Sequence, residues 1–139
     1  MKTHHILASC LFACVLFVLS SCGTTSASHQ VKKVRVNPRL SENKIRDEIL
    51  KYTPIESTFV EVREFAQTRL KHVGPAPNED GPATRRHWPG PDESVGVRSV
   101  SVCLGEYGFP GRTGTFVSWA FDKNDKLIDI IVQKWRDSL

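Results

Sequence analysis

The chain has 139 residues, with 19 Lys and Arg against 15 Asp and Glu and a formal net charge of +4. That length leaves room for one domain of about 100 residues plus a tether. So mild a charge, with no aromatic residues interleaved among the basic ones, argues against a nucleic-acid interface. The four cysteines contain no Cys-x-x-Cys pair, which argues against a metal centre of that kind.

The chain opens Met-Lys-Thr-His-His, and Ile6 to Leu19 is apolar except for Ser9. A membrane-spanning helix needs about 20 apolar residues, so this run is short for a span. A basic start, a short apolar core and small residues before a cut describe a signal peptide over residues 1–21. Its end, Leu19-Ser20-Ser21-Cys22, resembles the bacterial lipobox. The resemblance implies that the Cys22 sulfur accepts a diacylglycerol and that Cys22 becomes the first mature residue. Gly23, where enterobacterial inner-membrane lipoproteins carry Asp, implies the outer membrane, with the domain facing the periplasm. The competing reading is an ordinary secretory signal that ends near a cysteine. Two or more acyl chains at roughly 0.8 kcal/mol per buried methylene make a stable anchor.

Residues 22–40 read as a lipidated, flexible, basic tether. His29, Lys32, Lys33, Arg35 and Arg39 fall in a stretch without an acid. Such a segment near an anchor is drawn to anionic head groups, or it is simply a solvated linker. After cleavage only Cys103 remains as a free thiol, in a strand-like segment where a buried, inert state is expected.

The domain is expected over residues 41–139. Ser41 caps a first helix, with Glu42 in its first turn and Ile45, Ile49 and Tyr52 on one face, and Thr53-Pro54 ends it. Thr58-Phe59-Val60-Glu61 fits a capping box. It opens a second helix with Val62, Phe65, Ala66, Leu70 and Val73 inward and Gly74 as its stop. Residues 74–94 hold five of the eight prolines and three glycines and read as a long loop, which in a small domain signals function or disorder.

Three strands follow, Val95–Tyr107, Thr115–Phe121 and Lys126–Trp135, with Asp122 to Asp125 as a tight turn. In the middle strand either Phe116, Ser118 and Ala120 or Val117, Trp119 and Phe121 face the helices. Small residues under a packed helix favour the first. The outer face then exposes Trp119, Val117, Ile131 and Trp135, more apolar surface than a free monomer usually shows. The expected fold class is α+β, two short helices on a three-stranded antiparallel meander (ααβββ).

This arrangement, with the lipobox and linker, resembles the small bacterial lipoproteins of the SmpA/OmlA type, whose fold is similar to the repeat of the beta-lactamase inhibitor protein. The best local match is "TPIESTFVEVREFAQ", Thr53 to Gln67, in which Ser57 and Val62 take the family's roles and Glu56 stands where the family has glycine. "HVGP", His72 to Pro75, echoes the family's Leu-Gly-x-Pro. The segment from Leu104 to Lys134 also looks like short bacterial lipoproteins with a "LGEY…FDKNGKLID" pattern. The resemblance implies a scaffold or assembly role in the envelope.

No residue constellation signals catalysis. His29 lies in the tether, His72 near a helix end, and Glu106 stands alone. Asp122 to Asp129 fails the calcium-loop pattern, with Lys126 at the fifth position and Leu127 at the glycine position. The expectation is a non-catalytic envelope lipoprotein without cofactor or metal, binding an envelope protein through its sheet face or the 74–94 loop. The alternative is a module for carbohydrate or lipid head groups. The candidate binding residues are Arg85, Arg86 and Trp88, beside His87, and Trp119 on the sheet.

Overall fold

The computed structural model describes residues 32–87 and 89–137. The expected signal peptide over residues 1–21, Cys22, His29 and Trp88 lie outside the described residues. Helix α1 (Glu42–Leu50) and the short α2 (Phe59–Glu64) precede six strands: β1 (Val73–Asp80), β2 (Ala83–Arg85), β3 (Glu93–Val95), β4 (Arg98–Tyr107), β5 (Thr113–Phe121) and β6 (Leu127–Arg136). The fold is α+β, with a four-stranded antiparallel sheet in the order β1-β4-β5-β6 and a separate β2–β3 ribbon. The expected three-stranded meander is therefore incomplete. The segment 74–94 is not one loop: it supplies all of β1 but Val73 and all of the ribbon but Val95.

Helix α1 starts as its sequence dictates. Ser41 Oγ accepts the Lys44 N–H, and Ile45 and Ile49 are fully buried. Tyr52 lies beyond the helix end, partly exposed, and stacks on Phe65 at 5.5 Å. The second helix carries the full capping box: Thr58 Oγ1 accepts the Glu61 N–H, and Glu61 accepts the Thr58 N–H at 2.7 Å. It is shorter than its apolar stripe suggests. After Glu64 it widens into a π turn over Phe65–Arg69, and Leu70 is already extended, with its N–H bonded to the Phe65 carbonyl. Val73 and Gly74, expected in this helix, belong to β1. Glu56 has φ 76°, a left-handed backbone that costs a non-glycine residue about 1–2 kcal/mol. It occupies the place where the lipoprotein resemblance expects glycine.

Replacing Thr58 with Ala removes both hydroxyl bonds, from the Glu61 N–H and to the Glu61 carboxylate, and is expected to destabilise the fold by about 1 kcal/mol. The Thr58 backbone N–H, then its hydroxyl, hold the Glu61 carboxyl below the usual carboxylate range. A depressed folded pKa gives stability that is present above the unfolded pKa and lost as pH falls through the folded value. The difference between Thr58→Ala and the parent chain should therefore shrink in acid denaturation series run below the ordinary carboxylate pKa. An undiminished difference at the acid end would remove Glu61 from the account.

The core lies between the helices and one sheet face. Trp119, Phe121, Val117, Val100, Ile130 and Leu127 meet Ile45, Ile49, Val62, Phe65 and Leu70 there. This reverses the expected orientation of β5: Val117, Trp119 and Phe121 face the helices. Phe116, Ser118 and Ala120 face the other way. Of the small residues, Ala120 does lie under a covering element, but it is the ribbon, whose Ala83 packs on Ala120 and Ile131.

Residues 34–40 are packed on the domain rather than part of a free tether. Val34 pairs with Leu70, and Val36 is buried. Pro38 O accepts from Thr115 Oγ1 at 2.9 Å, and Leu40 O accepts from Lys134 Nζ at 2.6 Å. The segment thus crosses the strand ends from the β1 side to the β6 side.

Candidate functional site

Asp129 organises the outer side of β6. From α1, Arg46 Nη2 donates to Asp129 Oδ1 at 2.9 Å, and Arg46 Nε donates to the Ile130 carbonyl at 3.2 Å. From the ribbon, Arg85 donates to Asp129 and, through Nη1, to Glu93 Oε2 at 2.7 Å. The Asp129 side chain is 17% exposed, so two guanidinium groups compensate a carboxylate that burial would otherwise penalise. Glu93 also faces His87, with Nε2 at 3.2 Å. Hydrogen bonds from His87, then Arg85, hold its carboxyl below the usual range.

These contacts pin α1 and the ribbon to either side of β6 at one end. Beyond them a cleft of about 840 Å³ opens along the strand. One wall carries Glu42 and Asn43, and the other Arg85, Arg86 and His87. On the sheet face, Ser101 and Ser118 hydroxyls bond each other at 2.8 Å. Phe116 and Trp135 are 42% and 50% exposed. Arg86 lies over the Trp135 ring, 4.2 Å from its centroid, a cation–π stack that stiffens both side chains. Gln133 Nε2 is buried without a hydrogen-bond partner.

The backbone edge of β6 lies at the bottom of this cleft. Ile130 C=O bonds Arg46, and its N–H bonds Asp129 Oδ1 at 2.8 Å, so its polar groups point away from β5. The β5–β6 register is unbroken from Asp129 to Arg136. In an antiparallel ladder backbone groups alternate sides, so Val132 and Lys134 also direct theirs into the cleft. Both residues line it, although the Val132 side chain is in the core.

The candidate residues are thereby sorted. Arg85 and Arg86 converge on the cleft with His87; Trp88 lies outside the described residues, as does Cys22. Trp119 is removed as a binding residue: it is fully buried, and its Nε1 donates to Thr53 Oγ1 at 2.9 Å. Reading β5 in the opposite orientation put Trp119 on the surface. Trp135 was read only as part of an exposed sheet face, and Phe116, Asp129 and the β6 edge were not singled out as a site. The exposed aromatic at the end of β6 was legible, but the open edge follows only from strand order. Cys103 is half-buried rather than fully buried. Asp122 accepts the Asn124 and Lys126 N–H groups at 2.8 and 2.9 Å, which is turn chemistry.

Among the described residues no His, Cys, Asp and Glu side chains are grouped to hold a metal, and no helix is long and apolar enough to cross a membrane. Comparison with protein-family models, with curated proteins and with solved structures finds no match.

Proposed function

We propose that this protein is a non-catalytic, lipid-anchored envelope lipoprotein whose domain captures an extended segment of another envelope protein by strand addition to β6. The observation that carries the reading is the recessed, open edge at Val132 and Lys134. An unpaired strand edge is a template for another strand. Here that template is walled by α1 and the ribbon, so a single extended segment can enter. A second copy cannot, because its own β6 edge is equally recessed. Arg86 stacks on Trp135 without a carboxylate partner among the described residues. The captured segment therefore carries an acidic residue near an apolar one, the latter seated on Phe116 and Trp135.

A photo-cross-linking residue at Asn43, in native membranes, is expected to trap a specific envelope protein. Lys134→Pro deletes an outward N–H while leaving the β5 ladder intact, and should weaken capture about tenfold or more; one backbone hydrogen bond is worth about 1 kcal/mol net, and the proline ring also obstructs the edge. Lys134→Ala, which keeps the N–H, should retain most of the capture. Equal loss in the two variants would reject strand addition.

The half-exposed Trp135 with its stacked arginine also favours a second reading, a carbohydrate module in which a sugar ring lies on the aromatic surface. Glycan binding lost in Trp135→Ala but unchanged in Lys134→Pro would select it.

A further inference from the structure

A second charged surface lies at the opposite edge of the sheet, where the chain enters the fold. Val34 N–H donates to the Arg69 carbonyl at 2.7 Å, and Lys71 N–H donates to the Val34 carbonyl at 2.8 Å. Val34 packs against the core, and its partner Leu70 is buried. Strand alternation therefore turns the neighbours outward, and Lys33, Arg35, Arg69 and Lys71 are all exposed. Two segments of like charge thus lie side by side, an arrangement that repels across strands.

No acid of the chain relieves it. The sequence has no Asp or Glu before Glu42. None of these four basic side chains makes an ion pair among the described residues. Arg69 is held over the Tyr52 and Phe65 rings, 5.9 and 5.8 Å from their centroids. Lys33, Arg35, Lys71 and His72 surround a shallow depression of about 420 Å³, and His72 Nδ1 is buried without a partner.

We infer that this basic crossing seats the phosphate groups of an anionic lipid surface and sets the orientation of the domain on the membrane. Three observations choose a lipid surface as the occupant. The patch is exposed and contains only cations, so it complements a plane of phosphates rather than a mixed protein surface. It lies on the segment that leads in from Cys22, ten residues before Lys32, a reach of at most about 35 Å. It also flanks β1, whereas the cleft follows β6, and the order β1-β4-β5-β6 separates the two edges by about 15 Å at the usual strand spacing. A domain resting on the Val73 end of its β1 edge, away from the exposed Glu79 and Asp80 at the other end, presents the β6 edge away from the bilayer. The sequence left the basic tether either drawn to anionic head groups or simply solvated; the folded patch adds Arg69, Lys71 and His72 to it and gives it a direction. The inference shares the Cys22 anchor with the proposed function but does not use the cleft.

The test is lysine acetylation footprinting of the matured full chain with vesicles of phosphatidylcholine alone, or with about one-third phosphatidylglycerol, at low salt. Lys33 and Lys71 should react about tenfold more slowly on the anionic vesicles only, while Lys51 and Lys123 stay unchanged. Near a charged surface each basic residue shifts docking about fivefold, so Arg35→Gln should cut the protection from about tenfold to about threefold. Equal reactivity of Lys33 and Lys71 on both vesicles overturns the inference, as does protection that stays about tenfold in Arg35→Gln. Protection by inorganic phosphate on neutral vesicles to the same extent also overturns it, in favour of a soluble anion. Each of these results leaves the Asn43 cross-link unaffected, so this inference and the cleft reading fail separately.

Discussion

Trp119→Ala should lower the unfolding free energy by about 3–5 kcal/mol, the range for removing a large aromatic from a packed core. For a domain of this size, stabilised by about 5–15 kcal/mol in total, that is a large share of the whole. Trp119 is fully buried and opposes Ile130 on β6. Phe65 meets it edge-on at 6.5 Å. Truncation therefore leaves a cavity beneath both helices. Its polar atom adds a second constraint. Trp119 Nε1 donates to Thr53 Oγ1, and Thr53 Oγ1 donates to the Ile49 carbonyl at 3.3 Å. This short relay ties the centre of the sheet to the end of α1. Thr53→Val strands the indole N–H in the core and should cost about 1–3 kcal/mol. Trp119→Phe removes the donor, so Thr53→Val in that background should cost less than it does alone. Urea denaturation of the four chains measures that coupling. An additive result would mean that the bond contributes nothing beyond the packing.

The same residue shows where sequence reading stops. The caps at Ser41 and Thr58, the inward Ile45 and Ile49, and the turn at Asp122 were legible because they depend on neighbours a few residues away. The faces of β5 were not, because both are apolar enough to be buried. Small residues under a covering element was sound physics, but it named the wrong cover. Ala120 makes room for the β2–β3 ribbon while Ser118 floors the cleft, and that ribbon comes from a segment whose prolines and glycines read as a loop. β1 was hidden for a related reason. Pro75 and Pro77 fall in its bulge, where the four residues of β1 between Val73 and Asn78 oppose the single residue of β4 between Cys103 and Ser101. On an edge strand a missing N–H costs little there. Arg85 and Arg86 were identifiable as a basic pair with an aromatic nearby. Their convergence on Asp129 and Trp135, which lie more than 40 residues away in the chain, is a property of topology alone.

Gly96→Ala should be nearly as damaging as the loss of Trp119, at about 3 kcal/mol or more, although it adds a single methyl group at the surface end of the ribbon. Gly96 links β3 to β4 with φ +75°, and a Cβ there would meet the Phe121 carbonyl oxygen at 2.5 Å and its nitrogen at 3.0 Å. The obstacle is backbone, so no side chain can turn aside. Val97 N–H donates to that same carbonyl at 2.8 Å, and the displacement needed to seat a methyl pulls on this bond. The left-handed conformation alone costs an L-residue about 1–2 kcal/mol, and the clash supplies the rest. Gly96→Asn separates the two. Asparagine tolerates left-handed backbone but keeps the Cβ, so it should recover only the conformational share. Gly81→Ala is the control, since a Cβ there meets nothing within 4 Å, and it should change stability by about 0.5 kcal/mol at most. The consequence reaches the cleft. Gly96 fixes how the ribbon leaves the sheet, and the ribbon carries Arg85 to Asp129 and Arg86 to Trp135. Cross-linking from Asn43 in Gly96→Ala should therefore fall even at temperatures where the variant remains folded. Undiminished cross-linking would show that capture depends on the β6 edge alone and not on the wall the ribbon builds beside it.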